Sequence, residues 1–135
     1  MRALGALLLC LGTAAGAAAQ PTAAVHPAAH TVMQQLEAFR HGDYDTAYSF
    51  ASQTIHELFD RAGFERMVTT GYPEIARSRS AVVQRAEDAP NGHVYLFVTV
   101  YGANGNNVDA VYELVQENGD WKINAVVAKR AGGTV

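Results

Sequence analysis

The side chains in this sequence best suited to binding chemistry are aromatic. Tyr95, Phe97, Tyr101, Tyr112 and Trp121 recur at strand-like spacing towards the C-terminal end, and Phe39 sits in an earlier helical stretch. Such a set could line an apolar pocket in which phenolic hydroxyls orient a small apolar ligand, or pack together as a filled core. These six are the candidate ligand-binding residues. No residue is assigned a catalytic role, and no metal or cofactor site is expected. His56-Glu57-Leu58-Phe59-Asp60 carries half of a zinc-helix pattern, but Asp60 stands where the second imidazole would be needed. A charged outer helix face explains it better. His26 and His30 lack further converging ligands. Gly-x-Ser-x-Gly is absent, and the single cysteine, Cys10, falls in the opening segment, so neither serine nor thiolate nucleophiles are supported.

That opening segment reads as an address. Arg2, the apolar stretch 4–11 and the small-residue run 14–19 follow the order of a secretory signal, with cleavage expected after Ala19. A periplasmic or secreted destination follows. Residues 1–19 are read as a signal peptide, 20–30 as a flexible Pro/Ala/Thr-rich lead-in, 31–130 as one domain and 131–135 as a tail. No later stretch reaches the roughly 20 apolar residues of a membrane helix. Loss of Arg2 moves the formal charge from −3 to −4, which offers no grip on phosphate backbones, so nucleic acid is an unexpected partner. Arg61, Arg66, Arg77, Arg79 and Arg85 cluster around the first expected strand. They could hold an anion, but arginines there also deter edge-to-edge pairing, and nearby acids offset them.

Four helices are expected first. Thr31 with Gln34 resembles a capping box, Val32, Leu36 and Phe39 share a face, and Gly42 can end that helix. Asp43 can cap a second helix, and Ser52 or Thr54 a third through Ile55, Leu58 and Phe59. The fourth runs from Ala62 towards Thr70, with Gly71 in the left-handed position beyond its end. Tyr72-Pro73 then demands an extended or turn conformation, Ser80 to Glu87 reads as a strand, and Pro90-Asn91-Gly92 as a turn.

The end of the chain is a β-meander. Asn104-Gly105 and Asn118-Gly119, each flanked by alternating apolar residues, are signals for two-residue type I′ hairpins. Centring each turn on its Asn-Gly sets Phe97 opposite Tyr112 and Leu114 opposite Ile123. The expected core face then carries Tyr95, Phe97, Thr99, Tyr101, Val108, Ala110, Tyr112, Leu114, Trp121, Ile123, Ala125 and Val127, packed against Phe39, Phe50, Leu58 and Met67. The other face carries Val94, Leu96, Val98 and Val100, an apolar run that could pair two copies sheet to sheet as a homodimer. Since that core face has no Asp or Glu, general acid–base catalysis finds little support. The alternative is a cavity enzyme of isomerase or dehydratase type, in which tyrosine and His93 polarise a carbonyl.

Leu36-Glu37-Ala38-Phe39-Arg40, Ala47-Tyr48-Ser49-Phe50-Ala51-Ser52, the stretch from Phe64 to Val68, Gly71-Tyr72-Pro73 and Arg77-Ser78-Arg79-Ser80 together resemble a bacterial family of unknown function, DUF4864. Tyr112-Glu113-Leu114 and Trp121-Lys122-Ile123 resemble its final strands. The likeness spans roughly Thr31 to Val127. It implies an NTF2-like, cystatin-like plan in which helices pack into a curved antiparallel sheet and can leave a conical cavity. It implies no reaction and supplies no catalytic residues. The fold class expected is therefore α+β, N-terminal helices on a meander of about four strands. The function expected is that of an exported, non-catalytic domain that binds a small apolar ligand or a protein partner.

Overall fold

The computed structural model describes residues 25–131, so the expected signal peptide lies outside the described residues. The first helix, α1 (Pro27–Arg40), begins a turn earlier than the capping pattern at Thr31 suggests. Pro27 brings a φ already suited to a helix and lacks an N–H that the first turn could not pair, while the His26 Nδ1 accepts the Ala28 N–H at 3.1 Å. Ala28 and Ala29 are wholly buried, so part of the expected lead-in belongs to the core. Val32, Leu36 and Phe39 form the buried stripe, and Gly42 takes φ +66° just past the helix end.

Three short helices follow, each started by an oxygen that accepts an otherwise unpaired N–H. Asp43 caps α2 (Tyr44–Ser49), Ser52 caps α3 (Gln53–Leu58) and Asp60 caps α4 (Arg61–Gly71). Gly71 is the last helical residue of α4, not the left-handed residue beyond it. Pro73 starts another single turn, α5 (Pro73–Ala76), where the sequence expectation is an extended or turn conformation. Its ring suits a first helical position as well as it suits a turn.

Strands β1 (Ser78–Asp88), β2 (Val94–Gly102), β3 (Asn107–Glu117) and β4 (Asp120–Arg130) make one antiparallel sheet in chain order, giving an α+β meander with β1 and β4 at its edges. The β4 edge is partly covered. Ala51 bridges to Ile123, where the Ser52 N–H reaches the Ile123 carbonyl and the Ile123 N–H reaches the Phe50 carbonyl, both at 2.8 Å.

The two Asn-Gly pairs make different turns. At the β3–β4 hairpin Asn118 and Gly119 take φ +52° and +85°, the paired positive values of a two-residue type I′ turn, and Leu114 faces Ile123 as expected. At the β2–β3 hairpin only Gly105 is positive, at +84°, and the Gly102 N–H closes on the Asn106 carbonyl at 2.8 Å around a three-residue loop. The Asn104 side chain accepts the Asn106 N–H at 3.0 Å, and the Ala103 N–H is anchored on the Arg77 carbonyl at 2.8 Å. These bonds put Asn104 at the middle of the loop. Phe97 consequently faces Val111, not Tyr112.

A one-residue change in register exchanges the faces of a strand. Val94, Leu96, Val98 and Val100, none more than 2 % exposed, point at the helices, while Tyr95, Phe97, Thr99 and Tyr101 lie half-buried on the outer face. This corrects two expectations. The Val94/Leu96/Val98/Val100 face is the core of the domain, so it offers no surface for pairing a second copy. The aromatic residues of β2 do not pack under the helices, whereas Val108, Ala110, Tyr112, Leu114 and Ile123 do. A bulge at Asn124 then shifts β4, turning Val126 and Ala128 towards the core and leaving Ala125 and Val127 exposed. Leu58, expected among the packing partners of the sheet, is 68 % exposed.

Candidate functional site

Between the helices and the inner face of β3 and β4 lies a cavity of about 290 Å³. Gln35 and Phe39 come from α1, Ala51 and Ile55 from the α2–α3 region, Phe59 from the residue after α3, and Phe64, Met67 and Val68 from α4. Tyr72, Ile75, Tyr112 and the stretch from Ile123 to Val126 complete the wall. The buried members, among them Phe39, Phe64, Val68, Ile75 and Tyr112, form its floor. Ile55, Phe59, Met67, Asn124 and Val126 are half-buried and Ala125 is exposed, so these form its rim. No residue of α3 is buried. The roof is therefore thinner than the floor.

The wall carries few polar groups and almost all are engaged. Gln35 donates through Nε2 to the Ala47 carbonyl at 3.1 Å, and the Tyr72 hydroxyl donates to the Val126 carbonyl at 3.2 Å. Asn124 is held at both ends, accepting from the Ser52 hydroxyl at 2.8 Å and donating to a Glu113 carboxylate oxygen at 3.3 Å. That same oxygen lies 2.7 Å from the His93 Nδ1. The exception is Tyr112. Its residue is 1 % exposed, and its hydroxyl is the one buried side-chain polar atom with no hydrogen-bond partner among the described residues. Burial pushes the Tyr112 phenol well above the ordinary tyrosine range, and the neighbouring Tyr72 adds to the shift.

Of the six candidate binding residues, Phe39 and Tyr112 meet in this cavity. Tyr95, Phe97 and Tyr101 lie across the sheet from it, and the Arg85 guanidinium sits 3.7 Å from the centre of the Phe97 ring. Trp121 is elsewhere on β4, half-buried, its carbonyl accepting from the Thr31 hydroxyl at 3.1 Å and its ring meeting His26 edge-on at 5.3 Å. Nor does the fold bring a histidine to the cavity. His93 joins Glu113, while His56 stacks on Tyr48 at 3.8 Å with its Nε2 2.8 Å from the Tyr48 carbonyl. Asp60 is occupied as the α4 cap. No three His, Cys, Asp or Glu side chains converge as a metal site among the described residues. No described helix is long and apolar enough to cross a membrane.

Sequence reasoning passed over Gln35, Tyr72 and Asn124. Gln35 had a signal, since it sits three residues from Val32 and four from Phe39 on an otherwise apolar stripe. Asn124 had none, because its position depends on a bulge.

Helices over one face of an antiparallel meander, with an apolar pocket at their junction, define a small α+β domain. The chain belongs to the family described as Domain of unknown function (DUF4864), which matches residues 23–134. No curated protein matches it.

Proposed function

We propose that this protein is an exported, non-catalytic binding domain of NTF2-like, cystatin-like plan that takes a small apolar molecule into the cavity between its helices and β3–β4. The observation that carries this reading is the cavity itself, about 290 Å³ walled by residues of which only Gln35, Tyr72, Tyr112 and Asn124 have polar side chains. Largely apolar concave sites with a few placed polar groups are the usual form of small-molecule pockets. Its wall holds no carboxylate, imidazole, amine or thiol. The Tyr112 phenol, raised by burial, is moved away from the range in which a general acid or base works near neutral pH. Export is supported by the order Arg2, apolar 4–11, small-residue 14–19.

Native mass spectrometry of protein purified without denaturation tests both parts. The expected spectrum shows a chain beginning at Gln20 with a retained small molecule that organic extraction removes, and Met67→Trp, which fills the cavity from its rim, loses that adduct. Recovery of the bare mass alone, with no rise in Tm when naphthalene is added, would retire the binding reading. A mass retaining residues 1–19 in protein from extracytoplasmic fractions would retire cleavage after Ala19.

A further inference from the structure

The fold sorts the arginines of this chain into those with an acidic partner and those without. Arg40 pairs with Glu37, Arg61 with Asp45 and Glu65, and Arg85 with Glu87. Arg77 and Arg79 are exposed and pair with no carboxylate among the described residues. Both line an open cleft of about 650 Å³ where the C-terminal ends of α1 and α5, the start of β1 and the β2–β3 loop meet. Arg40 is a third cation in its wall, and no acid lines it. Glu74, the acid closest in sequence to Arg77, is buried outside that wall and makes no ion pair. With Arg40 offset by Glu37, Arg77 and Arg79 leave the cleft a positive surplus in a chain whose formal charge is −3. Protection of the sheet edge accounts for Arg79, which stands on β1, but not for Arg77, which precedes that strand.

The frame beneath these charges is fixed. The Arg40 Nε donates to both the carbonyl and the hydroxyl of Ser78 at 3.1 Å, and the Arg77 carbonyl accepts the Ala103 N–H at 2.8 Å. Backbone already held on both sides loses little freedom when a ligand settles on it. Beside the arginines the wall carries the Phe39 and Tyr44 rings, 5.6 Å apart. Guanidinium forks match the paired oxygens of a carboxylate or phosphate, and an aromatic wall matches a flat apolar group. We infer that this cleft binds a small organic oxyanion, a carboxylate or phosphate ester joined to a flat apolar group, with Arg77 and Arg79 holding the anion and the apolar group resting on the wall that Phe39 and Tyr44 form. The cleft shares only Phe39 with the cavity beside β3 and β4, so filling one does not require the other.

Titration of the full chain with phenyl phosphate and with benzoate, followed by amide nitrogen–proton NMR, tests this. Both are expected to move the amide signals of Arg77, Ser78, Arg79 and Ala103, and whichever binds more tightly names the oxyanion. Benzyl alcohol, close to benzoate in shape but uncharged, should bind at least about fivefold more weakly. Arg77→Gln and Arg79→Gln together should weaken both anions about tenfold, within the range two exposed charge pairs give. Arg66→Gln removes another exposed arginine without an acidic partner, one on α4 outside the cleft, and should leave both anions within about twofold. Signals that move elsewhere or not at all, benzyl alcohol matching benzoate, a double variant that binds as the native chain does, or Arg66→Gln weakening binding as much as the double variant would each overturn the inference.

Discussion

Tyr112 concentrates the tension in this molecule at a single atom. Its ring belongs where it is, on the inner face of β3 opposite Leu96 and in the same core cluster as Leu36 and Leu114, but its hydroxyl is buried without a partner. Leaving a hydroxyl so costs about 1–3 kcal/mol relative to water. Tyr112→Phe is therefore expected to stabilise the protein without added ligand by about 1 kcal/mol, read as a higher urea midpoint with unchanged slope. The same residue fixes an alkaline limb. Folding raises its pKa, so above about pH 10 the unfolded chain sheds the phenolic proton that the folded chain keeps, and stability falls by up to about 1.4 kcal/mol per pH unit. Denaturation midpoints between pH 9 and 11 should drop more steeply for the native chain than for Tyr112→Phe. Parallel curves would show that the phenol is not buried in solution. The inward direction of Tyr112 was legible from alternation along β3. Its missing partner was not, because that depends on side chains from α1, α5 and β4 arriving together.

At the level of elements, the sequence was most readable where a local bond decides the structure. Gly42, Asp43 and Ser52 mark helix ends through their own backbone or side-chain oxygen, and all three do so here. Tyr72-Pro73 was less readable, since proline opens a helical turn as readily as an extended one. The two Asn-Gly hairpins mark the limit of local reasoning. One dipeptide makes a two-residue turn at Asn118-Gly119 and part of a three-residue loop at Asn104-Gly105, where the distant Arg77 carbonyl holds Ala103. Gly102 is the keystone of that second loop. A Cβ there would lie 2.6 Å from the Asn104 side-chain oxygen, 2.9 Å from the Asn106 carbonyl and 2.9 Å from Glu74 Cγ. Because the Asn106 oxygen is backbone, the neighbourhood cannot clear by a rotamer change alone. Gly102→Ala should cost about 1–3 kcal/mol in chemical denaturation, against a few tenths for an alanine substitution at the exposed Asn107. A neutral Gly102→Ala would mean that the loop is free to adopt the shorter turn.

The whole domain depends on which side of β2 lies inward, and composition alone does not choose. Val94-Tyr95-Leu96-Phe97-Val98-Thr99-Val100-Tyr101 alternates two sets, one aliphatic and one of three aromatics with Thr99, each apolar enough for a core. Hydrophobicity names no winner in such a strand, so one residue in the loop at Ala103–Gly105 determines the outcome. Packing then makes the selected face coherent. The aliphatic set allows α1 and α5 to approach β2 closely, and the bulkier Tyr95, Phe97 and Tyr101 remain outside, with Phe97 covered by the Arg85 guanidinium. A pair of truncations reads this choice directly. Leu96, wholly buried, should cost about 2–5 kcal/mol as Leu96→Ala, from lost transfer energy and the cavity left behind. Phe97→Ala removes a larger side chain but one only half-buried, and should cost about 1 kcal/mol, chiefly through its contact with Arg85. Under the two-residue turn the order would invert, because Phe97 would share the inner face with Tyr112. Urea denaturation of the two variants side by side therefore tests the register of the sheet, and with it the position of every residue that walls the cavity.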